Sequence, residues 1–348
     1  MRIATYNVEW FNSLFDDDGL LLDDGGWSGR RDVRRRDQIA ALGIVFTALD
    51  ADAVMIIEAP DHNGQRATVP ALQTFAKRMG LRARRAIVGF RNHTQQEIAL
   101  LYDPDALTPR HDPQGAQTGK KGSSDAPRFD SVFRWDVDVD MAPELIRFSK
   151  PPLELAVETP GGQRFRMIGV HVKSKAPHGA RTADEIMRVS IDNRRKQLAQ
   201  CIWLRQRVVD HLRAGDPLIV LGDFNDGPGL DEYEKLFGHS GVEIVLGTAE
   251  EEEEEEEALR LYDPHAREAL QGRLCAQPAT ARFFIEREMR YLSALLDYVM
   301  ISPDLRERAP RWRIWHPFDD PSLYAVPELR DALLTASDHF PVTLDLAL

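Results

Sequence analysis

The stretch Asp216–Asp226, DPLIVLGDFND, decides how this chain is read. Leu218 to Leu221 are apolar enough for a strand buried on both faces. The run then ends abruptly on Asp223, Asn225 and Asp226, with Gly222 and Asn225 also suiting a turn. Ionised carboxylates at the mouth of an apolar sheet are costly unless something pairs with them. The exit is therefore either an ordinary strand-to-loop junction or a place where a sheet delivers acids to a reaction.

The same arrangement recurs along the chain. Asn7 sits in TYNVEW, Glu58 ends VMIIE, and His171 interrupts IGVHVKS. Asp297 opens LDYVMI, and Asp338 and His339 open SDHFPVTL. Taken singly, each is ordinary strand-end chemistry. Together they supply carboxylates, amides and two histidines, the set that a hard divalent cation and a phosphate ester require. Asp223 and Asn225 lie two apart and share a face if the strand extends that far, whereas Asp226 has the other parity and reads as the turn after it.

The bulk properties set wide bounds. The chain has 348 residues, 43% hydrophobic and 29% charged, as expected of a globular protein. Cys201 and Cys275 are too few for a disulfide framework, and Cys201 falls on the apolar face of a helix. The N-terminal MRIATYNVEWF alternates like a strand without an apolar signal region, and no run is long enough to span a membrane, so cytoplasm is the default expectation. The net charge is −12, from 44 basic and 56 acidic residues. Eight acids form the tract Glu250–Glu257, which reads as a solvated, repulsive segment; the remaining 48 leave a balance of −4. That argues against a protein that coats DNA nonspecifically, but not against a local nucleic-acid site. No obligate protein partner is evident.

The spacing predicts strands over Arg2–Trp10, the run ending at Glu58, Arg82–Val88, Glu97–Tyr102, Val132–Val137, Leu153–Glu158, the QRFRMIGVH stretch, and near Trp312–Trp315. Helices are predicted over Val33–Leu49, Ala71–Met79 and Asp184–Ala214. The segments near 15–29, 103–130 and 227–290 read as surface insertions, the last irregular with short helices. With no repeat and no linker, the expectation is a single domain over 1–348, with two packed sheets and helices outside.

The blocks TYNVEW, IIE, GVHVKSK, LGDFND, LDYVMIS and SDHFPV resemble the signature blocks of the endonuclease/exonuclease/phosphatase superfamily, the deoxyribonuclease I-like proteins. They occur in that family's order from Asn7 to His339. The resemblance implies an α+β, four-layer α/β/β/α sandwich of two mainly antiparallel sheets. It also implies phosphoester cleavage dependent on Mg²⁺, with Mn²⁺ or Ca²⁺ as alternatives. By the same resemblance, Glu58 is the principal metal ligand, Asn7 positions the metal or the Asp223 carboxylate, and Asp338 is a further or water-mediated ligand. Asp223 would orient or deprotonate the attacking water, and Asn225 would hydrogen-bond a phosphate oxygen. His339, held by Asp297, would contact the phosphate or act as acid–base partner, with His171 the second histidine there. The implied activity is a nuclease cutting DNA or RNA. A phosphatase or lipid phosphodiesterase of the inositol-phosphate or sphingomyelinase kind is the alternative, and a non-catalytic binding module the third reading.

The chain departs from that pattern at Ile57, where the family often has Gln, and at APDHNG, which brings His62 near the cleft or leaves it solvated. Either Gln96 or Glu97 would partner His171. Lys173 and Lys175 follow His171 at spacing two, on its face if the strand continues; Lys173 is the candidate phosphate contact. Arg30, Arg31, Arg34, Arg35 and Arg36 crowd a helix N-terminus, where cations oppose the macrodipole. They suit an anionic substrate, with Arg34 the candidate, or salt bridges to Asp16–Asp18 or Asp23–Asp24. Arg195 reads as structural.

Overall fold

The computed structural model describes residues 1–63, 65–92, 94–135, 143–177, 179–227, 238–249, 257–271, 277–286 and 288–348. Among them the strands are β1 (Arg2–Asn7), β2 (Ala53–Pro60), β3 (Arg85–Val88), β4 (Gln96–Tyr102), β5 (Thr108–His111), β6 (Phe133–Trp135), β7 (Glu144–Ile146) and β8 (Leu153–Glu158). They continue as β9 (Arg164–His171), β10 (Leu218–Asp223), β11 (Ala281–Ile285), β12 (Arg290–Ala294), β13 (Asp297–Ile301), β14 (Arg311–Ile314) and β15 (Val342–Asp345). The principal helices are α1 (Arg35–Leu49), α2 (Thr68–Met79) and α3 (Ala183–Arg213); α4 (Gly241–Leu246) is a short one.

One sheet runs β14-β15-β1-β2-β4-β3 and the other β13-β10-β9-β8-β5. Each has a single parallel pair at its heart, β1 with β2 and β9 with β10; the other pairings are antiparallel. Alternation along the strands divides the apolar side chains between three layers. Ile3, Met55, Ile57, Met167, Ile219, Leu221, Val299 and Ile301 meet between the sheets. Tyr6, Val54 and Ile56 face away, onto Leu42, Val45, Phe46 and Phe75 of α1 and α2. Ile168, Val170, Val220 and Met300 pack on Cys201, Trp203, Leu204 and Val208 of α3. This is the expected α/β/β/α sandwich.

The period of two also explains where the polar strand ends go. Asn7 continues the parity of Ile3, His171 that of Met167, Asp223 that of Ile219 and Leu221, and Asp297 that of Val299 and Ile301. Each therefore sits on the inner face, at the rim of the cleft between the sheets. The register sets Asp223 opposite both His171 and Asp297. Gly222 is required there: its φ is +141°, and a Cβ would lie 2.0 Å from the Val170 carbonyl oxygen.

Several expectations change in detail. The first strand stops at Asn7, because Trp10 takes a left-handed conformation and a 3₁₀ turn follows. The 103–130 segment is not irregular throughout, since β5 within it pairs with β8. The 227–290 region contains β11, which forms a hairpin with β12. A helix over Pro327–Ala336, for which no expectation was set, packs Leu333 and Ala336 against the α1 layer. Strand end Val137, Cys275 and Glu250–Glu256 of the acidic tract lie outside the described residues.

Candidate active site

Asp223 is the centre of the cluster. It is 1% exposed and, among the described residues, forms no ion pair with Lys or Arg, though Lys150 acts on it through space. Its oxygens accept from the Asn225 backbone N–H at 2.7 Å, the Asn225 Nδ2 at 3.1 Å and the Asn7 Nδ2 at 3.0 Å. The His171 Nε2 stands 3.6 Å away. Burial pushes the Asp223 carboxyl up to about 7, with His339 and the amide donors opposing that rise and Asp297 adding to it. Asn225 takes φ +49°, which turns its side chain back onto Asp223; its Nδ2 also donates to the Val172 carbonyl. Both amide hydrogens are thus engaged, and a phosphate contact by Asn225 would require releasing one of them.

His339 faces the same carboxylate from the opposite sheet. Its Nδ1 lies 2.7 Å from Asp297 Oδ2. Burial alone would discharge the ring, but the Asp297 charge and hydrogen bond, with Asp223 and Asp338, hold its pKa well above the usual histidine range. Burial drives His171 the other way, well below that range, and Lys150 and His339 add to the effect. The cleft therefore holds one imidazolium and one neutral imidazole. Lys150 Nζ reaches His171 Nδ1 at 3.1 Å and also donates to Gln96 Oε1. That fixes the open choice in β4: Gln96 faces His171 through Lys150, while Glu97 accepts from Asn92 Nδ2 at 2.6 Å, away from it.

A second group, all oxygen donors, adjoins the first. Glu58 lies where a bulge interrupts the β2–β4 register, at φ +64°. Strict alternation would send it after Ile56 into the helix layer; the bulge re-aims it into the cleft, beside Asn7. Burial raises the Glu58 pKa, Lys150 and His339 oppose that rise, and Asp338 adds to it. Glu9 is pushed up to about 7, first by burial and then by Asp338, with Arg30 opposing. Asp338 and Glu58 both act on Glu9 electrostatically. Asn7 Oδ1 and Asp338 Oδ1 are buried without a protein partner.

Crowded carboxylates beside orphaned oxygens have the donor chemistry of a hard divalent cation site, although one ligand atom from each of Glu9, Glu58 and Asp338 does not converge within 4.8 Å here. Ligand atoms of Asp223, Asp297 and His339 also converge within 4.8 Å. That trio suits a cation less well, because a protonated imidazole cannot be a ligand and Asp297 Oδ2 is already bonded to it, although Asp297 Oδ1 is also buried and unpartnered.

The other candidates lie further out. β9 ends at His171, so the shared-face argument for Lys173 lapses: its Nζ folds onto the Ser174 carbonyl, though it still acts electrostatically on Lys150. Lys175 pairs with Asp226 at 2.6 Å. Asp226 does more than form a turn: Arg194 of α3 meets it at 2.7 Å and the Gly241 N–H of α4 at 2.6 Å. Arg34 sits in the surface loop, over the Trp27 ring at 3.4 Å. Of its neighbours, Arg35 pairs with Asp24 and Arg30 with Glu9. Arg195 pairs with Glu144. Glu9 and Lys150 were not singled out from the sequence. Glu9 had one signal, its spacing of two from Asn7; Lys150, in a loop before two prolines, had none.

The sequence model of the Endonuclease/Exonuclease/phosphatase family matches residues 4–339. Among solved structures, an AP endonuclease from Archaeoglobus fulgidus is similar at a TM-score of 0.50 and 13% identity, over 100% of both chains. TDP2 from C. elegans gives a TM-score of 0.50 at 12% identity, over 99% of this chain and 74% of its own. The catalytic domain of human Nocturnin gives 0.48 at 16%, over 99% and 93% respectively. These likenesses are of fold. No curated protein sequence matches.

Proposed function

Since the chain belongs to the endonuclease/exonuclease/phosphatase family, whose members hydrolyse phosphoester bonds, we propose that it is a divalent-metal-dependent phosphodiesterase, a nuclease cutting DNA or RNA. One observation carries this reading: a buried Asp223 held by amides faces an Asp297-held imidazolium, with crowded carboxylates and orphaned oxygens alongside.

Asp223, fixed by Asn7 and Asn225, accepts the proton of the attacking water and aims it. His339 donates from Nε2 to a phosphate oxygen and stabilises the charge that develops there; Asp297 fixes the ring through Nδ1. Lys150 lends a second positive charge beside neutral His171. Glu58, Asn7, Asp338 and Glu9 would hold the cation, Mg²⁺ or Mn²⁺. When bound, the cation neutralises phosphate charge and polarises the ester.

The test is hydrolysis of plasmid, single-stranded DNA, RNA, bis-p-nitrophenyl phosphate and inositol phosphates, with Mg²⁺, Mn²⁺, Ca²⁺ or EDTA. Diester cleavage that EDTA abolishes is expected. Monoester hydrolysis without diester cleavage would replace this reading by a phosphatase, and inactivity with every cation would leave a binding module.

A further inference from the structure

The β11–β12 hairpin stands at the edge of the cleft and presents two different faces. Its base is tied to the site: the Arg282 N–H donates to the Asp338 carbonyl at 2.7 Å, and Ala281 bridges to His339. Thr280 Oγ1 accepts from the backbone N–H groups of Leu296 and Asp297. One face carries Phe283 and Leu292, which with Leu296 line a cavity of about 330 Å³ that Asn225 also lines.

The opposite face is wet and aromatic. The register sets Phe284 against Tyr291 and Arg282 against Ser293, so Arg282, Phe284 and Tyr291 share that face. The Arg282 guanidinium lies 3.7 Å over the Tyr291 ring and 5.6 Å from that of Phe318. Arg31 covers Phe284 at 3.9 Å, joining the N-terminal loop to the hairpin. Tyr291 is 50% exposed and Phe318 45%. Among the described residues Arg282 forms no ion pair, although acids outnumber bases in the chain.

Exposed rings interleaved with guanidinium planes give little to a folding core, but they are a surface on which flat bases stack while cations face phosphates. A duplex offers only base edges in its grooves and keeps the base faces inside its stack. Only unpaired bases can lie on these rings. We infer that the Arg282–Tyr291 face of the hairpin, extended by Phe318 and by Arg31 on Phe284, is a stacking platform for single-stranded nucleic acid, which makes unpaired strands the substrate class. The inference rests on the phosphodiesterase reading above.

Fluorescence anisotropy in EDTA, with a labelled DNA 12-mer, the RNA of the same sequence and the DNA duplex, tests it alongside hydrolysis of bis-p-nitrophenyl phosphate with Mg²⁺ or Mn²⁺. The single strands are expected to bind more tightly than the duplex, and the DNA and RNA arms tell which source is preferred. The Tyr291→Ala/Phe318→Ala variant should weaken single-strand binding about tenfold or more, leaving duplex binding and small-diester hydrolysis unchanged. Tyr291→Trp should retain the binding. Equal affinity for duplex and single strand, no effect of the double variant, or an equal loss of small-diester hydrolysis would overturn the platform. A wild type that binds single strands but hydrolyses no diester would instead sink the phosphodiesterase reading alone.

Discussion

Asp223 and Asp226 leave the same strand three residues apart and are equally enclosed, at 1% and 0% exposure. They are held in opposite ways. Asp226 is gripped by two cations, Lys175 and Arg194, and by the first N–H of α4, so it ties α3 and α4 to the end of β10. Asp223 hydrogen-bonds only amides and has His171 at 3.6 Å, with His339 and Lys150 acting on it as charges without an ion pair to Lys or Arg among the described residues. A buried acid neutralised by fixed cations is a strut. A buried acid left to neutral donors is poised to take up a proton.

Two Asp–His pairs, one buried and one with its aspartate a third exposed (33%), sharpen the point. Asp297–His339 and Asp216–His211 have nearly the same length, 2.7 and 2.8 Å. Yet burial, aided by Arg166 and Arg207, leaves the pKa of His211 lowered despite its partner, whereas at His339 Asp297, joined by Asp223 and Asp338, outweighs burial and raises it. A hydrogen bond of the same length therefore does not fix the direction of the shift; burial and the surrounding charges decide whether the partner prevails.

Asparagine substitutions should separate the two acids cleanly. Asp223→Asn is expected to lower kcat on bis-p-nitrophenyl phosphate about 10³-fold, since a positioned general base contributes on the order of 10²- to 10⁴-fold. The same change should stabilise the fold. The folded-state pKa of Asp223, about 7, exceeds the unfolded value of about 3.9. The folded protein then binds the proton more tightly, and stability falls as pH rises through that window. A urea midpoint at pH 8 above that of the wild type is the check.

Asp226→Asn should behave in reverse, losing about 3–5 kcal/mol in urea unfolding, as expected when one partner of a buried ion pair is removed. If Asp226→Asn matched the wild type in stability, the contrast between strut and proton acceptor would collapse.

Smaller effects are expected one step from Asp223. Asp297→Asn should cost about 10²-fold in kcat, in the range of general acid–base contributions. It should also shift the alkaline limb of the pH–rate profile to lower pH, because His339 loses the carboxylate that raises its pKa. Glu9→Gln should weaken Mn²⁺ binding about tenfold by calorimetry, the scale of removing a supporting group at a metal site.

Much of this site was legible as strand-end polarity. Asn7, His171, Asp223 and Asp297 follow the inward parity of their strands, so alternation alone carries them to the cleft. Glu58 was legible as a strand-end acid and as a motif, but its direction was not, because a bulge, which spacing does not encode, reverses it. Glu9 follows the end of β1, just before a left-handed tryptophan, where periodicity no longer says which way a side chain points. Lys150 is placed by loop contacts to Gln96 and His171 across the cleft. The role of Asp226 depends on Arg194, 32 residues earlier on another element, and no local pattern signals that pairing. The Pro327–Ala336 helix was readable in principle: its N-terminal proline and the buried Ala332, Leu333 and Ala336 have helical spacing.

The measurement closest to the central claim is a ¹³C-carboxyl NMR titration of metal-free protein, with the Asp223 resonance assigned from its absence in Asp223→Asn. Titration of that carboxyl near pH 7 is expected, as its burial without a paired Lys or Arg favours. Titration in the ordinary carboxylate range, near about 4, would contradict the account and make Asp223 one more structural acid.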